Sequence, residues 1–263
     1  MSPYIAIVSA RIRTLLQYRI AALAGMLTQL FWGLIRTMLF TALYSSSSVT
    51  QPLTYGQAVD YIWLGQAMFA VTMLTIDQDF QEMVRTGTVA YELLRPIDLY
   101  GLWYCRAISK RISLIVLRSL PIFLIALLLL DLHPPSSLAA CGAWAIATLG
   151  ALVLTSAIST LGSITLLWTI AGNGINQLLN VAVLIFSGII VPLPFFPDWL
   201  QPLLNFLPFR DLLDAPLRFY IGQMPPESIL ILAAHQLAWI LGLIILGRLM
   251  LAAGLRRLVI QGG

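Results

Sequence analysis

The segment Leu138–Leu167, LAACGAWAIATLGALVLTSAISTLGSITLL, carries no charged side chain and exceeds the roughly 20 apolar residues that a bilayer-crossing helix needs. Read as one helix, it crosses a membrane and has length left to protrude into water. Ala171-Gly172-Asn173-Gly174 then breaks it. Within the segment, Ala143, Ala147, Ala151, Thr155, Ser159 and Ser163 recur at every fourth position. Such a stripe lets a neighbouring helix approach closely, which is packing information and assigns no ligand.

Comparable apolar runs lie on either side: about Ile20–Tyr44, Gln57–Ile76 and Ile112–Leu130 before it, Ile175–Val191 and Ile229–Ala253 after it. Whole-chain composition agrees. The 263 residues are 59% hydrophobic and 10% charged, against about 25% charged in soluble domains, and the mean hydropathy is +0.89. Six spans place both termini on one side. Arg11, Arg13 and Arg19 precede the first span, Arg85, Arg95, Arg106, Lys110 and Arg111 separate the second from the third, and Arg256 and Arg257 follow the sixth. The opposite side holds Arg210 and Arg218, so the positive-inside rule puts both termini in the cytoplasm. The net charge of +4 is then topological and implies no nucleic acid. The first run is too long for a signal-peptide h-region and lacks a small-x-small cleavage site. Cys105 and Cys141 fall at opposite membrane faces, which forbids a bridge between them.

Ile5, Val8, Ile12, Leu15 and Leu16 share one helical face and Ser9, Arg13 and Gln17 another, the pattern of an amphipathic helix lying on the inner leaflet, the alternative being a plain cytoplasmic extension of the first span. Asp77–Gly87 has acids in its first turn and Arg85 near its end, as a short capped helix prefers. A second short helix should end at Arg95, because Pro96 restricts that residue to extended geometry. This pair is either a docking surface for a soluble partner or a solvated connection between spans. On the outer side, Val191–Gln223 interleaves Pro192, Pro194, Pro197, Pro202, Pro208 and Pro216 with aromatics such as Phe195, Trp199 and Phe209. Proline at that density forbids one spanning helix, whereas broken short helices dipping into the outer leaflet fit both the prolines and the aromatics.

Chemistry is sparse. His133 and His235 form no HExxH motif, and no serine is preceded two positions earlier by glycine. Lys110, the sole lysine, lies between Ser109 and Arg111, so the chain supplies no Walker A loop. Polar candidates inside the spans are Arg36, Asp60, Gln66 and His235. At 1.5 Å per residue Arg36 lies about 12 Å from Tyr44 and Asp60 about 5 Å inside Gln57, a difference a long arginine can bridge, so an Arg36–Asp60 pair is expected near the outer end. An ion-coupled carrier should show midplane ionisable pairs or an internal repeat, and neither is evident; that class and a non-transporting assembly factor remain the alternatives.

Two strings carry a family resemblance. The cytoplasmic Arg85–Asp98, RTGTVAYELLRPID, is similar to the string Gly-x-Val-x-x-Glu-Leu-Leu-Arg-Pro-Leu-Asp, with Ile97 where Leu is more usual. The outer Phe186–Leu200, FSGIIVPLPFFPDWL, continues into Leu207-Pro208-Phe209. Together they resemble the permease subunits of ABC-2 type transporters, in the subgroup whose six spans make one whole subunit, and the likeness covers essentially the entire chain. It implies an all-α integral membrane protein of the bacterial cytoplasmic (inner) membrane. Its single domain, 1–263, comprises an interfacial helix at 1–19, two spans at 20–76 and a cytoplasmic coupling region at 77–111. Three further spans follow at 112–191, then outer re-entrant helices at 192–223 and the last span with its tail at 224–263.

The resemblance further implies a coupling helix seated on a separate ATPase subunit through Asp79, Phe80, Glu82, Met83, Arg85 and Thr86, followed by the motif residues Gly87, Glu92, Leu93, Leu94, Arg95 and Pro96. Other implied partners are a second permease, identical or paralogous, and membrane lipids. ATP and magnesium would be bound by the ATPase, with no cofactor or metal in this chain. The path would run between two permeases along the first, second and fifth spans, with Arg36, Asp60 and Gln66 as candidate lining residues. Export of amphipathic, lipid-like or lipophilic drug cargo is the expected activity.

Overall fold

The computed structural model describes residues 3–46, 50–75, 77–93, 97–169 and 173–256, and all regular structure among them is helical. The helices are α1 (Pro3–Leu15), α2 (Arg19–Ser46), α3 (Tyr55–Thr72), α4 (Gln78–Thr86), α5 (Val89–Leu93), α6 (Leu99–Leu114), α7 (Leu120–Leu129) and α8 (Leu138–Ile164). They continue with α9 (Leu166–Thr169), α10 (Asn173–Phe186), α11 (Gln201–Phe206), α12 (Asp214–Tyr220) and α13 (Ile229–Leu255). Short 3-10 turns at Leu193–Phe195, Asp198–Leu200, Arg210–Leu212 and Pro226–Ser228 punctuate the proline-rich region. Among the described residues, four stretches are long and apolar enough to cross a membrane: Arg19–Ser46, Leu99–Leu129, Leu138–Trp168 and Pro226–Leu255.

Local chemistry explains the boundaries. Thr54 and Gln57 form a reciprocal capping box at the start of α3, and the carboxylates of Asp77 and Asp98 and the hydroxyl of Ser137 accept backbone N–H groups opening α4, α6 and α8. Gly87, at φ 73°, closes α4 in the left-handed conformation that suits glycine. α6 and α7 form one continuous helix joined by a π turn at Ile115–Ser119, where the Leu120 N–H bonds the Ile115 carbonyl five residues back. Pro121 sits one residue beyond; its missing N–H and its ring disturb the normal ladder there.

Three span limits differ from the sequence expectation. The second helix stops at Thr72, because Met73 is extended, and does not reach Ile76. The fifth stops at Phe186, short of Val191, since Gly188 takes φ 89°. The third begins far earlier than Ile112, at Leu99, so much of the expected 77–111 connection is the first half of a long helix. The break expected at Ala171 and Gly172 lies outside the described residues.

α3 is the central helix. From Ala58 to Thr72 every residue is buried except the half-buried Phe69, enclosed by α2, the π turn, α7, α8 and α12. α3, expected as the second span, is thus enclosed by its neighbours, and Asp60 is received there by the His133 backbone N–H. Exposed apolar side chains lie on α2 (Phe31, Trp32, Met38, Leu39) and α10 (Leu178, Val181), and also on α7 (Leu128), α8 (Leu149) and α13 (Leu241, Ile245).

Packing inside lipid gains little from the hydrophobic effect, so close approach by small residues matters most. α13 packs along the small-residue stripe of α8. There the Gln236 amide donates to the carbonyls of Ala147 (3.0 Å) and Asp211 (3.2 Å) and fills the space beside Gly150, where a Cβ would lie 1.9 Å from its oxygen. Arg111, buried on α6, reaches the Ser159 hydroxyl on the same stripe.

Candidate functional site

α4 projects at the end of the molecule that also carries α1, α5 and the start of α6. It is amphipathic: Phe80 is 1% exposed and tilts against Trp103 of α6 with ring centroids 4.2 Å apart, while Met83 and Val84 pack at the edge of the same cluster. Arg11 of α1 bridges Asp77 (3.3 Å) and Asp79 (2.5 Å), tying the α4 N-terminus to the first helix. On the outward face, Glu82 and Arg85 pair at 3.0 Å with side chains 55% and 70% exposed, and Thr86 caps back to the Glu82 carbonyl at 2.8 Å. Of the six residues expected to couple, Phe80 and Met83 thus serve as anchors, Asp79 as a tether, and Glu82, Arg85 and Thr86 face outward.

The following motif is built around Glu92. Its carboxylate is buried, accepts the Trp103 indole N–H at 3.0 Å and pairs with Arg106 at 2.6 Å, so α5 is locked to α6. Leu93 ends α5; Leu94, Arg95 and Pro96 lie outside the described residues. Asp98, besides capping α6, meets Arg248 of α13 at 3.1 Å.

The expected Arg36–Asp60 pair is not formed. Arg36 donates to the Ile189 carbonyl in the loop after α10, within a small cleft that also touches Tyr61, Gly65 and Gly188. Asp60 instead accepts the His133 backbone N–H at 2.9 Å, with the His133 ring Nδ1 3.0 Å away. The axial estimate of depth ignored azimuth: Asp60 lies on the face of α3 turned to the α7–α8 loop, whereas Arg36 points toward the α10 end. Gln66 joins neither; its backbone carbonyl accepts from the buried Gln29 of α2 at 2.9 Å. Gly188 is required there, since a Cβ would lie 2.2 Å from the Tyr61 hydroxyl, which itself donates to the buried Asp214 at 2.9 Å.

His235 sits near the start of α13 against Asp211, Nδ1 to Oδ2 2.5 Å, with Nε2 3.1 Å from the Phe206 carbonyl. Burial pushes the Asp211 carboxyl up to about 6, opposed by the neighbouring imidazole. Among the described residues no three His, Cys, Asp or Glu side chains gather as a metal site would need, and Cys105 and Cys141 are both free thiols. Residues missed from the sequence are Trp103 and Arg106, which hold Glu92, and Arg118, whose Nε donates to Gln29 at 3.2 Å from inside an apolar run. An arginine within a predicted span is itself a signal, so Arg118 was discoverable.

The pattern described as ABC-2 family transporter protein matches residues 30–262. The chain belongs to that family. The match takes in the anchored α4, the Glu92 motif, the proline-rich region and the last long helix, and it begins inside α2, so α1 lies before it. This ABC-2 protein is accordingly a multi-pass membrane protein of the permease type, and its apolar helices are those of a transmembrane transport protein. No curated protein sequence is similar enough to be matched with it.

Proposed function

We propose that this ABC-2 family chain is the permease subunit of an ATP-driven exporter in the bacterial cytoplasmic membrane, working with a second permease and with separate ATPase subunits that bind ATP and magnesium. The observation that carries the proposal is α4. It is a short helix wedged by Phe80 into a cluster shared with α6, roped to α1 by Arg11, and presenting Glu82 and Arg85 outward. A surface helix so tightly connected to two others transmits a push, whereas a loose connecting loop would absorb it.

In this reading α2, α3, the Leu99–Leu129 helix, α8 with α9, α10 and α13 are six spans, and both termini face the cytoplasm. α10, 14 residues and about 21 Å long, is completed at the outer side by the broken, proline-rich segment dipping into that leaflet. The exposed apolar faces of α2 and α10 meet the second permease and bound the path between the two subunits. ATP binding closes the ATPases, α4 moves, and the permeases pass between inward-facing and outward-facing arrangements. A path edged by Phe31, Trp32, Met38 and Leu178 suits amphipathic, lipid-like or lipophilic drug cargo.

Gentle purification of the tagged protein tests the class: a stoichiometric ATPase should accompany it, and reconstituted vesicles should show flux that depends on ATP. Isolation without an ATPase, together with flux driven by an ion gradient, would overturn the proposal.

A further inference from the structure

α1 ends at Leu15 and α2 starts at Arg19, and the elbow between them faces the first half of the Leu99–Leu129 helix across a groove of about 190 Å³. Lys110, Ser113 and Leu114 of α6 and Leu117 and Arg118 of the π turn line one wall. Tyr18, 64% exposed, and the small Ala21 and Ala22 line the other. The groove is therefore mostly apolar, with Lys110 and Arg118 as its two cations.

Neither cation has a direct carboxylate partner among the described residues, although Asp77 and Asp79, both held by Arg11, lie close enough to Lys110 to favour its charge. Lys110 has no hydrogen-bond or ion-pair partner among the described residues, and the nearby acids are already engaged: Arg11 holds Asp77 and Asp79, and Arg106 holds Glu92. Arg118 uses only its Nε, toward Gln29; its guanidinium lies where a Cβ on Gly25 would come within 2.5 Å, and its two terminal nitrogens make no hydrogen bond to the described residues. Arg13 and Arg19, both exposed at the elbow, add further positive charge. Two cations without a directly bonded carboxylate beside a membrane helix favour the approach of an anion.

We propose that this groove binds one anionic phospholipid of the adjoining leaflet. Its phosphate sits at Lys110, its glycerol and ester groups lie over Leu114 and Leu117 within reach of the long Arg118 side chain, and an acyl chain continues beyond them. The acyl-sized apolar walls have no role for a free soluble anion. A zwitterionic headgroup would bring its ammonium into a field of Lys110, Arg13 and Arg19, where the nearest described carboxylates, Asp77 and Asp79, are held by Arg11. This inference needs only the membrane placement, and it stands apart from the ATP-driven reading above.

The test is titration of the delipidated full-length protein in detergent with dioleoyl phosphatidylglycerol or dioleoyl phosphatidylcholine, counting bound lipid by native mass spectrometry. Phosphatidylglycerol should bind at least fivefold more tightly. Lys110→Gln and Arg118→Gln should each weaken it about fivefold, the worth of one basic residue near an anionic headgroup, without changing phosphatidylcholine binding. Ala21→Phe, which fills the groove and leaves every charge in place, should abolish the preference, and Arg248→Gln, removing a charge elsewhere, should not. Equal binding of the two lipids by the wild type overturns the proposal, as does an unaltered preference in monodisperse Lys110→Gln or Ala21→Phe protein. Displacement of phosphatidylglycerol by millimolar inorganic phosphate would also overturn it, marking a site for a free anion.

Discussion

The indole N–H of Trp103 donates to the buried carboxylate of Glu92 at 3.0 Å, and the same carboxylate grips Arg106 at 2.6 Å. One acid thus fastens the short helix after α4 to the long helix that enters the membrane. Glu92→Ala leaves Arg106 without its partner in a site where the Arg106 side chain is only 18% exposed. The expected loss is about 3 kcal/mol, read as a lower unfolding temperature of the purified protein. Glu92→Gln, which keeps an acceptor for Trp103, should lose less. Equal stability of wild type and Glu92→Ala would show that the pair fastens nothing.

The outward pair on α4 should behave in the opposite way. Glu82 and Arg85 are more than half exposed, so their pairing contributes little to stability, within about 0.5 kcal/mol. Glu82→Arg or Arg85→Glu should leave the unfolding temperature unchanged yet separate ATP hydrolysis from transport in reconstituted vesicles. Wild-type coupling in both variants would remove α4 from the contact with the ATPase.

α2 lies against α3 at Gly33, where a Cβ would fall 2.4 Å from the Trp63 ring. Gly33→Ala must push the two helices apart or displace a fully buried tryptophan, at about 1–3 kcal/mol. Gly242, on α13 with nothing near its missing Cβ, is the control: Gly242→Ala should be neutral or slightly stabilising. Thermal unfolding in the same detergent compares them, and equal effects would refute the tight seam.

Asp60 couples to His133 and not to Arg36. In double-mutant cycles, Asp60→Asn with His133→Ala should be non-additive by about 0.5 kcal/mol, a modest figure because the imidazole is 66% exposed. Asp60→Asn with Arg36→Met should be additive within error. A large Arg36–Asp60 coupling would restore the pair that the geometry removes.

Long apolar runs made the peripheral helices readable: Arg19–Ser46 and Ile229–Leu255 lie within about two residues of their predicted limits, because lipid demands unbroken apolar length there. The amphipathic α4 was equally plain, with Asp77 before it and Gly87 after it. α3 was harder to interpret, since enclosure by protein, which no hydropathy window senses, decides what its polar residues do. Partners failed for a related reason. Distance along a helix axis is additive and visible in sequence, but the direction around the axis depends on every neighbour, and that direction sends Asp60 to His133 and Arg36 to Ile189.

The π turn at Ile115–Ser119 is one surplus residue in an otherwise continuous rod. At 3.6 residues per turn it rotates everything beyond it by about 100° relative to an unbroken helix. Lys110 and Ile122 therefore belong to two different angular frames: a labelling scan along Leu99–Leu129 should show its periodic signal jump phase near Ser119. Deleting a single residue there would bring the two halves back into step, and in doing so would turn Ile122 and Ala126 away from the interior that now covers them completely.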